Sequence, residues 1–127
     1  MDTKILLLLV LGFVATTWAY PKTACGSGPS HDLIMGQRQY GDRMLYTSRE
    51  KKSKSILRVG VTDIKWPLRG MQIRETITRV EVLDQKHDGS GGCAFLVGGG
   101  VGSSFLNLHL KTQRGGSFDF LINIYGR

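Results

Sequence analysis

The sequence predicts an all-β protein: one small antiparallel sheet or sandwich domain behind an N-terminal secretory leader. Three observations predict it. Past the leader, apolar residues recur with a period of two rather than 3.6. No stretch there offers a capped helical stripe, so the crossover helices that parallel strands require are missing. Proline occurs only at positions 21, 29 and 67, so the turns must come from the 17 glycines. At 127 residues and 41% hydrophobic content the chain holds one core; two would each be too small to bury enough surface.

Residues 1–19 read as a signal peptide. Lys4 precedes an apolar run from Ile5 to Val14, and Thr17-Trp18-Ala19 is a small-residue exit, which places cleavage between Ala19 and Tyr20. The run is shorter than the roughly 18 to 20 residues that span a bilayer, so no membrane span is expected. Residues 20–30, with Pro21, Gly26, Gly28 and Pro29, have no apolar period and read as a flexible lead-in; the domain occupies 31–127.

Within the domain, Met44 to Thr47 is an apolar segment, and Arg49-Glu50-Lys51-Lys52-Ser53-Lys54 reads as a solvated basic loop before a strand through Leu57, Val59 and Val61. Val80 and Val82 alternate with Arg79 and Glu81. The span Asp84 to Ser104 holds seven glycines, yet it lacks the Gly-Lys-Ser/Thr and the following helix of a phosphate cradle. Asp88–Gly92 and Gly98–Gly102 are therefore expected to be turns around a strand Cys93–Val97. Leu106, Leu108 and Leu110 then line one face of a strand Phe105–Thr112, and Phe118, Phe120, Ile122 and Ile124 line a last one.

The net charge of +7 survives removal of the leader, which contains one acid and one base, and suits solubility or attraction to acidic surfaces. Cys25 and Cys93 are the only cysteines. In an oxidising compartment they read as one internal disulfide, against the alternative of free or intermolecularly paired thiols. Catalytic groups are thinly supplied. His31, His87 and His109 are far apart and none has metal-ligand spacing, and His109 falls on the polar side of its strand. Asp84, Asp88 and Asp119 read as scattered surface acids. Tyr40, Tyr46 and Trp66 are not interleaved with the lysines, which disfavours direct nucleic-acid binding. No catalytic residue, metal or cofactor is expected.

Gly41-Asp-x-x-Leu-Tyr46, the Asp84-Gln85 pair, Gly99-Gly-x-Gly102, Lys111-x-Gln-Arg-Gly115 and the closing Ile124-Tyr-Gly-Arg127 together resemble the multiprotein bridging factor 2 family of arthropods. Members of that family are often labelled probable salivary secreted peptides. Cys93 stands where the family more often has Tyr or another uncharged residue, so the resemblance does not supply the disulfide. It implies two roles: a secreted salivary or venom component, or a coactivator bridging a DNA-bound factor to a general transcription factor. The leader favours the first, a secreted, extracellular, non-enzymatic domain that binds a protein or an acidic surface; the nucleus is the alternative location. Partner, tissue and oligomeric state are not specified by the sequence.

Overall fold

The computed structural model describes residues 28–127, and the expected cleavage site at Ala19 and Tyr20 and the Cys25 half of the expected disulfide lie outside them. Seven strands follow in chain order: β1 (Leu33–Gly36), β2 (Arg43–Lys52), β3 (Val61–Trp66), β4 (Ile77–Asp84), β5 (Cys93–Gly99), β6 (Leu106–Lys111) and β7 (Phe118–Gly126). They form two antiparallel sheets, one of order β1-β4-β7-β2 and one of order β3-β6-β5. The expected all-β class is realised as a sandwich.

The period-two residues build the core. Leu106, Leu108 and Leu110 of β6 and Ala94 of β5 are fully buried against Val80 and Val82 of β4 and Phe120, Ile122 and Ile124 of β7. Register makes this a layer, since Leu108 stands beside Ile64 and Leu96, while Ile122 stands beside Val82 and Ser48. Burying each large aliphatic or aromatic side chain contributes about 1.5–3 kcal/mol, so β6 and β7 carry much of the hydrophobic stabilisation. Tyr46 and Trp66 meet at 6.1 Å between ring centroids and join β2 to β3, the edge strands on one side of the sandwich.

Three expectations change. The basic run is not a loop through Lys52: Arg49 to Lys52 belong to β2, paired with β7 from Leu121 to Phe118. An edge strand tolerates such charge because its outward side chains stay in water, and charge there discourages pairing with other chains. Second, Leu57 and Val59 belong to no strand; they lie exposed in the β2–β3 loop, and Val61 opens β3 on its solvent side. An apolar alternation without a neighbouring strand to bond is not a strand. Third, Leu33–Gly36 forms an edge strand on β4 that four residues of sequence did not announce.

The glycine-rich span does consist of turns and strand, but β5 runs on through Gly98 and Gly99, which pair with Asn107 and Leu106, so the expected second turn begins only at Gly100. Gly89, Gly99, Gly100 and Gly102 have positive φ, and β6 rather than a helix follows. Gly100 donates to the Phe105 carbonyl and Gly102 to that of Ile77, tying the β5–β6 turn to the start of β4.

Candidate functional site

The strand directions bring four segments to one end of the sandwich: the lead into β1, the β2–β3 loop (53–60), the β4–β5 loop (85–92) and the β6–β7 loop (112–117). A buried carboxylate ties the first and third of them together. Asp84 continues the inward face of Val80 and Val82, and it is buried, not a surface acid as its isolation in sequence suggested. Its carboxylate accepts hydrogen bonds from the backbone N–H of His31 (3.0 Å) and of Lys86 (2.9 Å). His31, also buried, donates Nδ1–H to the Gly92 carbonyl at 3.0 Å; a carbonyl only accepts, so the proton sits on Nδ1. Gly91 packs against Asp84 so closely that a Cβ would overlap the carboxylate, which explains glycine there.

Around this scaffold lies a cleft of about 220 Å³. Lys86 and Ser90 line it from the β4–β5 loop, Lys54 from the β2–β3 loop, and Gln113 to Ser117 from the β6–β7 loop. Gln113 spends both amide hydrogens on the carbonyls of Gly89 and Gly91 (3.0 and 2.9 Å) and so fastens two loops together. Arg114 donates to the Leu57 carbonyl at 2.9 Å, and the Gly115 amide to that of Arg58 at 2.8 Å, which docks the third loop. Lys86 Nζ reaches Ser117 Oγ at 3.1 Å.

This end holds acids as well as cations, but its acids Asp32, Asp84, Asp88 and Asp119 are each engaged by backbone, hydroxyl or guanidinium donors. Among the described residues, Lys54, Arg58, Lys86 and Arg114 form no ion pair, whereas Arg38, Arg43, Arg49 and Arg79 each hold a carboxylate. Two acids lie near Lys86 and are engaged elsewhere. Asp88 accepts from the hydroxyl and backbone amide of Ser90, and these bonds hold its carboxyl below the usual range. Asp119 is held low by the Arg49 guanidinium, which donates to it twice, at 2.9 and 2.7 Å. The cleft is thus a cationic, hydrogen-bonding surface suited to an oxyanion.

The remaining sequence candidates go elsewhere. His109 lies on the outer face of the three-stranded sheet, as its alternation indicated, with Asp63 Oδ1 2.7 Å from Nδ1 and the Phe95 ring on its other side. His87 bonds Ser30 Oγ at 2.7 Å. The three histidines do not converge, and no group of three or more His, Cys, Asp and Glu among the described residues is placed to hold a metal. Trp66 is a core residue. Cys93 is buried at the start of β5, opposite Lys111. Sequence reasoning missed the cleft itself: its cations are single residues on three loops, and the densest basic run, Arg49 to Lys54, contributes only Lys54. Lys111-x-Gln-Arg-Gly was the available signal, since its Gln113 and Arg114 line the cleft.

Among the described residues no helix is long and apolar enough to cross a membrane. The family model described as Transcription activator MBF2 matches residues 35–126. The chain is 35% identical over 104 residues to a protein of Bombus ignitus named "Probable salivary secreted peptide", covering 82% of this chain and 75% of that one. No solved structure matches. With the family model matching from within β1 to the last residue of β7, and a relative 35% identical over 82% of the chain, the chain belongs to the MBF2 family.

Proposed function

We propose that this is a secreted, non-enzymatic β-domain that acts by binding, and that the loop end with its cationic cleft is the binding surface. The observation that carries the reading is the set of four cations without carboxylate partners on three loops that a buried scaffold holds in place. The name of the Bombus relative supports secretion, as do the apolar run and small-residue exit before Tyr20. The non-enzymatic reading is supported by the use of Asp84 and His31 as loop anchors and by the placement of His109 and Asp63 on an open sheet face. A disulfide from Cys25 to Cys93 belongs to the same proposal; it would tie the segment after the leader to the first residue of β5, beneath the cleft.

A second reading, nuclear coactivation by bridging two proteins, is favoured by the description of the matching family. Intact mass and N-terminal sequencing, without reductant, of protein from the medium and nuclei of producing cells separate the two. A medium species beginning at Tyr20 and two hydrogens lighter than the reduced chain is expected. An uncleaved nuclear species with free thiols would replace the secreted reading with the bridging one.

A further inference from the structure

The β2–β3 loop presents two aliphatic side chains that the fold does not use. Ile56 is 88% exposed and Leu57 74%, and they are adjacent. They form the corner of a turn closed by the Arg58 amide on the Ser55 carbonyl at 3.2 Å. Leu57 has φ 59°, the third position of a type II-like turn, where glycine or asparagine is the comfortable residue. Every other positive-φ position among the described residues is glycine. A leucine held in left-handed backbone, projecting into water, is costly in both conformation and solvation, and nothing in the core gains from it.

The same turn is locked to the cleft. Arg114 and Gly115 grip the carbonyls of Leu57 and Arg58, so Ile56 and Leu57 stand beside Lys54, Arg58 and Arg114. Projecting aliphatics next to unpaired cations match one partner chemistry, an interface with an anionic outer layer and an apolar interior. We infer that the loop end docks on anionic lipid bilayers: a headgroup phosphate enters the cleft among Lys54, Lys86 and Ser117, and Ile56 and Leu57 enter the acyl boundary. The inference deepens the surface-binding reading of the same cleft. Vesicle binding and secretion are read by separate assays, so either can fail alone.

A sulfated polysaccharide would satisfy the cations and leave the two aliphatics in water. The juxtaposition of both features therefore favours the bilayer.

The test is co-sedimentation of the purified protein, from whichever compartment of the producing cells it is recovered, with vesicles of phosphatidylcholine alone or with about one-third phosphatidylserine. Binding only to the anionic vesicles is expected, weakening by about fivefold for each cation removed in Lys54→Gln/Lys86→Gln. Ile56→Ser/Leu57→Ser should weaken it by about tenfold or more. Leu57→Gly separates function from folding, because the turn accepts glycine: its melting temperature should hold or rise while vesicle binding falls. Equal binding to neutral vesicles, no binding to anionic ones, or binding to soluble heparin but not to vesicles would overturn the inference. So would full vesicle binding by the Ile56→Ser/Leu57→Ser variant.

Discussion

The Asp84 carboxylate and the backbone amide of His31, 53 residues apart in sequence, are joined by a buried hydrogen bond of 3.0 Å. With the second bond to Lys86, it makes one side chain the anchor for both the entry into β1 and the loop that carries a cleft lysine.

Removing that anchor leaves two backbone donors without their acceptor. Each such group costs about 1–3 kcal/mol when it stays buried. Asp84→Ala is expected to lower the unfolding free energy by about 3 kcal/mol, measured by urea denaturation at neutral pH. A loss below about 0.5 kcal/mol, the ordinary surface value, would show that water replaces the carboxylate.

At the opposite end of the sandwich, Asp42 accepts from Arg38 Nε (2.6 Å), the Gln39 amide (2.7 Å) and Thr78 Oγ1 (2.9 Å). Burial pushes its carboxyl upward, but these hydrogen bonds outweigh burial and hold it below its ordinary 3.8. A lowered folded value means that the native state favours the ionised form. Its stabilisation is present above about pH 3.8 and disappears as pH falls through the lower folded value. Asp119, held low by Arg49, acts with the same sign. Melting temperature should fall steeply in acid, and Asp42→Asn/Asp119→Asn should melt lower at neutral pH with a shallower acid decline. Parallel curves for the two proteins would contradict this.

Trp66 is buried, and its indole N–H is the one buried side-chain polar atom without a partner among the described residues. Trp66→Phe removes that unsatisfied donor along with some volume, so the two effects oppose each other. The substitution is expected to cost less than about 1.5 kcal/mol, whereas Trp66→Ala costs about 3–5 kcal/mol because it opens a cavity under Tyr46. Urea midpoints of the two variants test the ordering.

The proposed Cys25–Cys93 bridge would close a long loop. Reduction should then lower stability by about 3–4 kcal/mol in the chain-entropy account. Denaturation midpoints with and without dithiothreitol, alongside Cys25→Ser/Cys93→Ser, measure it; identical midpoints would exclude a stabilising bridge.

The sequence by itself determined the class of fold and most of its strands. Leu106, Leu108 and Leu110, and Phe118 to Ile124, alternate so regularly that only a half-buried strand accommodates them. Gly100 and Gly102 could be read as a turn because no helix follows, whereas Gly98 and Gly99 extend β5. Tertiary structure decided everything that depends on a neighbour. Arg49 to Lys52 look like a loop until β7 is placed beside them, and Leu57 and Val59 look like a strand although only the β6–β7 loop, and no strand, lies beside them. Asp84 looks like a surface acid until the His31 and Lys86 amides converge on it. The cleft was least legible of all, because Lys54, Lys86 and Arg114 sit on separate loops and share a site only through the antiparallel strand order. Alternation is a local property that one chain segment carries alone, whereas partnership, burial of charge and a binding surface are set by which segments the two sheets bring to the same end.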